Sequence, residues 1–264
     1  MTSSLVITTY NWPEALELTL LSIFLQSTLP LEVIVADDGS TDETRRLIER
    51  LAAVAPLPIV HSWQEDHGFR LARSRNKAIA IAKGDYIISI DGDIILDRHF
   101  VQDHMDTATP GYFIQGPRVI LSESKTREIM DSGDVTLTCF SLGVANRKNC
   151  IRSKWLSTIF SRKDQVIRGT RGCNSSFWRA DAVAVNGFNE DFVGWGREDS
   201  EFACRLINAG LRRHNLRFLA TAYHLHHDMC ARNQLAVNNQ ILRTTVEQRI
   251  QRCTNGLAQH LLAA

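Results

Sequence analysis

Short apolar segments alternate with segments of helical spacing in the N-terminal part of this chain. The apolar segments, which have the length and composition of buried strands, are residues 5–7, 33–36, 59–60 and 86–90. Helices are predicted between them at residues 13–26, 40–55 and 71–83, the second opened by a capping box of Ser40 and Glu43. Strands separated by helices predict an α/β fold with a Rossmann-like, mostly parallel central sheet flanked by helices.

The rest of the chain has a weaker pattern. Strands are predicted at residues 113–114 and 135–142, and helices at residues 180–185, 198–209 and 231–262. We expect one compact unit with two functional halves, residues 1–97 and 98–230, and a closing helix in residues 231–264. The apolar positions of that helix suit packing on the body, pairing of subunits or contact with lipid, and packing on the body is expected.

Composition and charge exclude several classes of protein. A formal net charge of +1 gives no overall field for nucleic acid. No apolar run approaches the about 20 residues that cross a bilayer, and no secretory signal is visible. Six scattered cysteines without a C-x-x-C pair predict reduced thiols in a cytosolic protein.

A basic stretch lies in the second half. Residues 147–171 contain eight Lys and Arg side chains and a single acid, Asp164. Such a stretch predicts a solvated loop. The alternative is a surface that steers an anionic acceptor or meets a membrane.

Two carboxylates end the strand at residues 86–90, in the sequence Asp91-Gly92-Asp93. Side chains two apart on a strand face the same way, so both acids can serve one site. Their mutual repulsion favours a bound cation, and oxygen ligands suit Mg²⁺ or Mn²⁺. We expect Asp93 to bind the cation directly and Asp91 to orient a ribose or act through water. An ordinary turn is the alternative.

Polar residues also follow the first two strands. Asp37 and Asp38 stand where a carboxylate can accept hydrogen bonds from a base or a ribose, or where it only closes a turn. Tyr10 is placed to stack on a base, although packing is the alternative. A basic group that suits a diphosphate, or a solvated helix face, follows at Arg70, Arg73, Arg75, Asn76 and Lys77.

A second acidic pair, Glu198 and Asp199, opens a predicted helix directly after Gly194-Trp195-Gly196. The helix dipole favours acids in a first turn, which is the simplest explanation of the pair. An indole beside a carboxylate is also a common way to hold a sugar, because the ring covers an apolar face and the acid accepts hydroxyl protons.

Three histidines, His224, His226 and His227, follow the last apolar segment. A single histidine is usually structural, but three within four residues favour a metal site. Mn²⁺ accepts imidazole beside carboxylate, so one of them is expected to complete the Asp93 site.

Together these motifs resemble a family 2 glycosyltransferase of the GT-A fold, with a galactosyltransferase-type C-terminal region also found in bacterial chondroitin polymerases. The resemblance spans roughly residues 4–230. The motifs that carry it, in order, are Thr8-Thr9-Tyr10-Asn11, Asp37-Asp38-Gly39-Ser40, Gly68-Phe69-Arg70 through Asn76, Asp91-Gly92-Asp93, Gly172-Cys173-Asn174, Gly194 through Asp199, and Tyr223-His224.

The resemblance implies a role for each matching residue. It implies that Asp93 and His224 bind Mn²⁺ or Mg²⁺, that Asp199 is the general base, and that Trp195 and Glu198 hold the acceptor. Arg197 departs from the family pattern, which usually has glycine there. The implied donor residues are Thr8, Tyr10 and Asp38 at the uridine, Asp91, Arg75 and Asn76 nearby, and Gly172 and Asn174 at the sugar.

The implied activity is inverting transfer of a hexose from a UDP-sugar to a glycan or glycolipid hydroxyl. By analogy, the setting is bacterial surface-glycan assembly in the cytoplasm, with peripheral contact to the inner membrane. Residues 1–97 would bind the nucleotide-sugar and residues 98–230 the acceptor. A sugar-1-phosphate nucleotidyltransferase is disfavoured, because residues 8–13 lack the Gly-rich, Arg-containing loop of those enzymes. The other alternative is a non-catalytic nucleotide- or glycan-binding module.

Overall fold

The computed structural model describes residues 1–228 and 231–261. Twelve strands lie in this part of the chain: β1 Ser3–Thr9, β2 Glu32–Asp37, β3 Ile59–Trp63, β4 Tyr86–Asp91, β5 Ile94–Leu96, β6 Tyr112–Gln115, β7 Arg118–Leu121, β8 Val144–Ala145, β9 Arg162–Asp164, β10 Asn174–Trp178, β11 Arg212–Asn215 and β12 Ala222–His224. The α-helices are α1 Pro13–Phe24, α2 Asp42–Ala52, α3 Leu71–Ile81, α4 Phe100–Thr107, α5 Glu123–Ser132, α6 Lys154–Phe160, α7 Arg179–Ala184, α8 Glu198–Asn208, α9 Leu235–Glu247 and α10 Ala258–Leu261.

The central sheet has eight strands in the order β3-β2-β1-β4-β10-β6-β11-β9. The strands β3, β2, β1 and β4 are parallel, as the alternation of strands and helices predicts. Beyond β4 the direction changes, because β10 is antiparallel to both β4 and β6. The predicted mostly parallel α/β sheet is therefore confirmed, and its second half is mixed.

Helices cover both faces of this sheet. Alternate residues of β1 point to opposite sides, so that Leu5 and Ile7 belong to one buried apolar cluster and Val6 to the other. Leu16 of α1 is in the first cluster, and Ala78 of α3 is in the second. The faces are thus fully used for packing, and the carboxyl ends of the parallel strands are left for a site.

A second, four-stranded sheet in the order β5-β12-β7-β8 packs beside the first. Its inner strand β12 is antiparallel to the edge strand β5, with His224 opposite Ile94. Asp93 directly precedes β5. The pairing of β5 with β12 therefore brings Asp93, from the first half of the chain, next to His224. No helix within residues 1–228 and 231–261 is long and apolar enough to cross a membrane.

Three local predictions are wrong. The capping box does not form: Thr41 is the N-cap residue of α2, and the Ser40 hydroxyl instead accepts a hydrogen bond from the Asn11 backbone. Residues 135–142 form no strand, although Val135 and Leu137 pack on a core cluster. The predicted closing helix is divided into α9 and α10, and its last residue, Leu262, lies outside the described residues. The division into functional halves remains a prediction.

Candidate active site

The carboxyl ends of β1, β2 and β4 form one edge of the central sheet. The register places Thr9 beside Asp37 and Thr8 beside Asp91. The Thr8 hydroxyl donates a hydrogen bond to Asp91 Oδ1 at 3.0 Å. Polar side chains from three separate motifs therefore meet at this edge, as expected for an open α/β sheet.

A possible metal-ligand set lies at the same edge. Asp93, His224 and His227 each offer one ligand atom, and these atoms lie within 4.8 Å of one another. The Nε2 atoms of His224 and His227 are 3.5 and 3.3 Å from Asp93 Oδ2. Asp93 Oδ1 is buried without a hydrogen-bond partner, which is costly unless a cation is bound. His226 is exposed and is not part of this set.

The electrostatics of this set suit a divalent cation. Burial, with a contribution from Asp91, raises the pKa of Asp93 to about 7. Burial and the nearby Arg118 lower the pKa of His224 to about 4, so the ring is neutral and has a nitrogen lone pair that could bind a cation. The residues present thus fit a cation that accepts both imidazole and carboxylate, and Mn²⁺ meets this better than Mg²⁺, which prefers oxygen.

Arg75 joins the two acidic clusters. It is 1% exposed, and its two terminal nitrogens lie 3.1 Å from Asp91 Oδ1 and 3.2 Å from Glu198 Oε1. Burial lowers the pKa of Arg75, but Asp91, Glu198 and Asp199 more than compensate and raise it above its usual value. A buried guanidinium held between carboxylates fixes their relative positions, although it need not stabilise the fold.

Gly172 makes room for this guanidinium. A Cβ atom on Gly172 would lie 2.5 Å from a terminal nitrogen of Arg75, closer than nonbonded atoms can approach. The Gly172 backbone N–H also donates to Asp199 Oδ2 at 2.9 Å. Gly172 therefore lies at the junction of Arg75 and Asp199, where any side chain would displace one of them.

Glu198 and Asp199 occupy the first turn of α8, as predicted. Asp199 Oδ1 accepts hydrogen bonds from the backbone and hydroxyl of Ser200 at 2.6 and 3.2 Å. Burial and the neighbouring Asp199 raise the pKa of Glu198 to about 7. Burial also raises the pKa of Asp199, although Arg75 opposes the change. A raised pKa makes a carboxylate a better proton acceptor, which suits a general base.

Trp195 lies in the loop before α8 and is 36% exposed. The guanidinium of Arg232 lies 4.7 Å from the centre of the indole ring, so one side of the predicted sugar platform is covered. Arg197 adopts the left-handed conformation, with φ of 82°, where the related motif usually has glycine. Its side chain donates to Asn239 Oδ1 of α9 at 2.7 Å.

The predicted nucleotide residues lie at the ends of β1 and β2. Asp38 accepts hydrogen bonds from Gln64 Nε2 at 2.6 Å and from the Arg70 backbone at 2.7 Å. Burial raises the pKa of Asp38 to about 6. Tyr10 is 50% exposed and donates to Asp66 Oδ2 at 3.0 Å. Its exposed ring is free to stack on a base.

Two asparagines expected near the donor have amides that are occupied within the protein. Asn76 donates to the Phe188 carbonyl and to Glu190, and it accepts from the Phe188 backbone. Asn174 donates to the carbonyls of Pro117 and Ala220. Both residues are 0% exposed. Their side chains position neighbouring segments of the protein. Their amide groups are already hydrogen-bonded and do not point to a nucleotide-sugar.

The basic group of α3 separates into different environments. Only Arg75 faces the acidic clusters, whereas Lys77 donates to the Trp63 carbonyl at 2.8 Å. Arg70 and Arg73 line a separate cavity of about 210 Å³ with Glu190 and Phe192. Helical rotation points these side chains in different directions, and a diphosphate role for this group remains a prediction.

Sequence reasoning left the choice among the three histidines open and did not identify Gln64. The structure brings His227 to the Asp93 site together with His224, at a spacing of three residues. No local pattern in the sequence favours His227, since residues two apart share a face in an extended segment and would favour His226. No local pattern points to Gln64, whose amide reaches Asp38 from the segment after β3.

Two family models match this chain. The model described as glycosyl transferase family 2 matches residues 4–179, and the model described as the N-terminal domain of galactosyltransferase matches residues 160–228. Chondroitin synthase from Escherichia coli is 28% identical over 225 residues, which cover 78% of this chain and 32% of that protein. Validoxylamine A glucosyltransferase from Streptomyces hygroscopicus subsp. limoneus is 30% identical, over 79% of this chain and 48% of that protein. The chain thus spans half or less of these relatives' lengths.

Solved structures share the fold. S. aureus TarS 1–349 in complex with UDP superposes with a TM-score of 0.62 at 18% identity, covering 98% of this chain and 68% of that one. The mannosyltransferase PcManGT from Pyrobaculum calidifontis, in complex with GDP-Man and Mn²⁺, gives 0.59 at 20% identity, covering 94% and 62%. The GT-A fold is confirmed by these likenesses. From the match over residues 4–179, the chain belongs to glycosyl transferase family 2.

Proposed function

We propose that this chain transfers a hexose from a UDP-sugar to a hydroxyl of a glycan or glycolipid, with inversion and with a divalent cation. The observation that carries the proposal is the contact of Arg75 with both Asp91 and Glu198. It joins the expected donor end, beside Asp93, to the expected acceptor end, beside Asp199. A transferase needs these two ends held together.

The donor would lie along the ends of β1, β2 and β4. Thr8, Tyr10 and Asp38 are proposed to hold the uridine, with Asp91 near the ribose. The solved relatives bind different donors, since TarS is recorded with UDP and UDP-GlcNAc and PcManGT with GDP-Man. The choice of UDP and of the hexose therefore needs a direct test.

Asp93, His224 and His227 are proposed to hold Mn²⁺ or Mg²⁺. When bound, such a cation neutralises the charge of a diphosphate leaving group. Their buried, unpartnered carboxylate oxygen and neutral imidazole support this assignment.

Asp199 is proposed to accept the proton of the acceptor hydroxyl as that oxygen attacks the anomeric carbon. One base is sufficient for a single displacement, and a single displacement inverts the configuration. Trp195 and Glu198 are proposed to hold the acceptor sugar. Asp199 has a pKa raised above that of an ordinary aspartate, which supports a role in accepting a proton.

The proposed setting is bacterial surface-glycan synthesis in the cytoplasm, with peripheral contact to the inner membrane. The likeness to the Escherichia coli chondroitin synthase supports a polysaccharide product. Because the chain spans only part of that relative, the acceptor is assigned here as a class, a glycan or glycolipid hydroxyl.

The test is a donor screen with purified protein. Thermal shift and release of nucleoside diphosphate are measured with UDP-Gal, UDP-Glc, UDP-GlcNAc, UDP-GalNAc and GDP-Man, each with Mn²⁺ and with EDTA. A metal-dependent shift with UDP compounds, and slow UDP release from one of them, is expected. A response only to GDP-Man would overturn the UDP assignment. Binding of UDP-sugars without release, even with candidate acceptors, would favour a non-catalytic binding module.

A further inference from the structure

Helix α6 has its polar and apolar sides reversed. Its apolar residues Trp155, Ile159 and Phe160 are 71%, 53% and 50% exposed. Its inward residue, Ser157, is 5% exposed and forms a hydrogen bond with the Ser161 hydroxyl at 2.9 Å. A helix on the surface of a globular protein normally buries its apolar side, so the reversal needs a partner.

These residues form one surface, the α6 face, which we define as Ile151, Trp155, Ile159 and Phe160. Trp155 and Ile159 are four residues apart and therefore neighbours on the helix. Ile151, which precedes the helix, is 43% exposed. The Ser153 hydroxyl caps the helix by accepting from the Leu156 backbone at 3.3 Å, so the face is presented by an ordered element.

Basic residues precede and follow the α6 face in the chain. Arg152 and Lys154 are paired with Asp103 and Asp106 on α4. Within the part of the chain that the structure describes, six exposed cations of residues 147–171 make no ion pair, and these are Arg147, Lys148, Arg162, Lys163, Arg168 and Arg171. An exposed tryptophan with aliphatic neighbours and basic residues is the combination that binds the headgroup region of an anionic bilayer.

The face is connected to the candidate active site. Asn149, just before it, donates to the Arg118 carbonyl at 2.9 Å and accepts from the Thr221 hydroxyl at 2.7 Å. Arg118 begins β7, which pairs with the His224 strand β12. The segment that presents the face is thus hydrogen-bonded to strands of the sheet that holds a proposed metal ligand.

We propose that the α6 face docks this chain on an anionic lipid surface, with Trp155 and Ile159 at the headgroup level and Arg162 and Arg168 beside lipid phosphates. The docking assigns a surface to the membrane contact of the proposed function, and its purpose, presenting a lipid-linked acceptor, rests on that function. Charge favours lipid over a second copy, because a symmetric contact would bring two basic stretches together.

The test is co-sedimentation with vesicles of phosphatidylglycerol and phosphatidylcholine, compared with phosphatidylcholine alone. Wild type is expected to bind only the anionic vesicles. Replacement of both apolar residues, W155S/I159S, is expected to weaken partitioning at least about tenfold. V54S is the matched control, because Val54 is 74% exposed after α2 and should bind as wild type does.

Two further measurements separate charge from burial. R162Q/R168Q is expected to weaken binding, and added salt should weaken binding of wild type more than of this variant. Lipids brominated on the acyl chain should quench tryptophan fluorescence of wild type, and W155F should bind while losing most of that quenching.

Absence of binding to anionic vesicles, or equal binding by W155S/I159S and wild type, would overturn the proposal. So would sedimentation equilibrium that finds a dimer in wild type and a monomer in W155S/I159S, without lipid binding, since the face would then belong to a second copy. These readouts need no sugar transfer, so failure of the proposed enzymatic activity would leave them interpretable.

Discussion

Single residues at the candidate site differ in how their charge is balanced. Burial raises the pKa of Asp93, and its Oδ1 atom has no hydrogen-bond partner. Asp91, in contrast, forms an ion pair with Arg75. The two acids of one short motif therefore have different environments. One is suited to a cation and the other is held in an ion pair, while the ribose or water-mediated role expected of Asp91 stays a prediction.

Replacement of His227 by alanine is expected to lower Mn²⁺ affinity at least about tenfold, because a proposed ligand is lost. His226→Ala is the matched control, since His226 lies one residue away and outside the set. Isothermal titration with Mn²⁺ in the presence of UDP measures both. Equal losses in the two variants, or none in either, would contradict the assignment of His227.

Asp199→Asn is expected to lower turnover by about 10²- to 10⁴-fold while UDP binding is kept, because an amide cannot accept the acceptor proton. Turnover is followed by UDP release and binding by calorimetry. Asp191→Asn is the control, since Asp191 is an exposed acid of the preceding loop. Turnover like that of wild type in the Asp199 variant would remove Asp199 from the mechanism.

Glu198 should make stability depend on pH. Its pKa rises from 4.5 to about 7 on folding, so the folded state holds this proton more tightly than the unfolded state. The resulting stability is fully present below the unfolded pKa and is lost as pH rises through the folded value. Glu198→Gln, neutral at every pH, should remove this part of the dependence. Urea unfolding of both proteins across this range measures it, and identical pH profiles would contradict the pKa shift.

At the scale of elements, α8 and α9 hold the Trp195 loop between them. Asn238 of α9 is 1% exposed and donates to the carbonyls of Val193 and Gly196 at 3.2 and 3.0 Å. The loop before the predicted base is therefore positioned by a helix that follows it by about forty residues. The closing segment thus contributes to the site and not only to packing.

Asn238→Ala is expected to lower the free energy of unfolding by about 1–2 kcal/mol, because two loop carbonyls lose their donor. Amide hydrogen exchange should become faster at residues 193–197. Gln240→Ala, an exposed change on the same helix, should alter neither. Unchanged exchange in the Asn238 variant would mean that the loop is held by other contacts.

At the scale of the whole molecule, Asn174 ties the two sheets together. Its amide donates to the carbonyls of Pro117, before β7, and Ala220, before β12, from its place on β10. Its oxygen accepts from His104 Nε2 at 2.9 Å. Burial lowers the pKa of His104 to about 4, so the ring stays neutral and can serve as donor on one side and acceptor on the other.

Asn174→Ala is expected to lower the free energy of unfolding by about 3–5 kcal/mol, because three buried partners are left unsatisfied. Asn215→Ala is the control: it lies in the same sheet, and its side chain makes no hydrogen bond within the described residues. Urea unfolding measures both. A loss below about 1 kcal/mol for the Asn174 variant would contradict its role at the junction of the sheets.

The sequence by itself determined the parallel half of the sheet and the meeting of polar residues at its carboxyl edge. Both follow from local spacing. The period of the apolar residues predicts which segments are strands and which are helices, and parallel pairing of the strands then places Thr8 beside Asp91. The first turn of α8, with Glu198 and Asp199, was predictable for the same reason, since acids after a glycine turn favour a helix start.

The tertiary structure alone decided which side chains meet. Arg75 and Glu198 are 123 residues apart in sequence, and no local pattern marks their contact. The buried amides of Asn76 and Asn174 belong to motifs that resemble donor sites, yet packing turns them toward the protein itself. Such outcomes depend on how distant segments fill space and satisfy buried polar groups, which chain-local spacing does not encode.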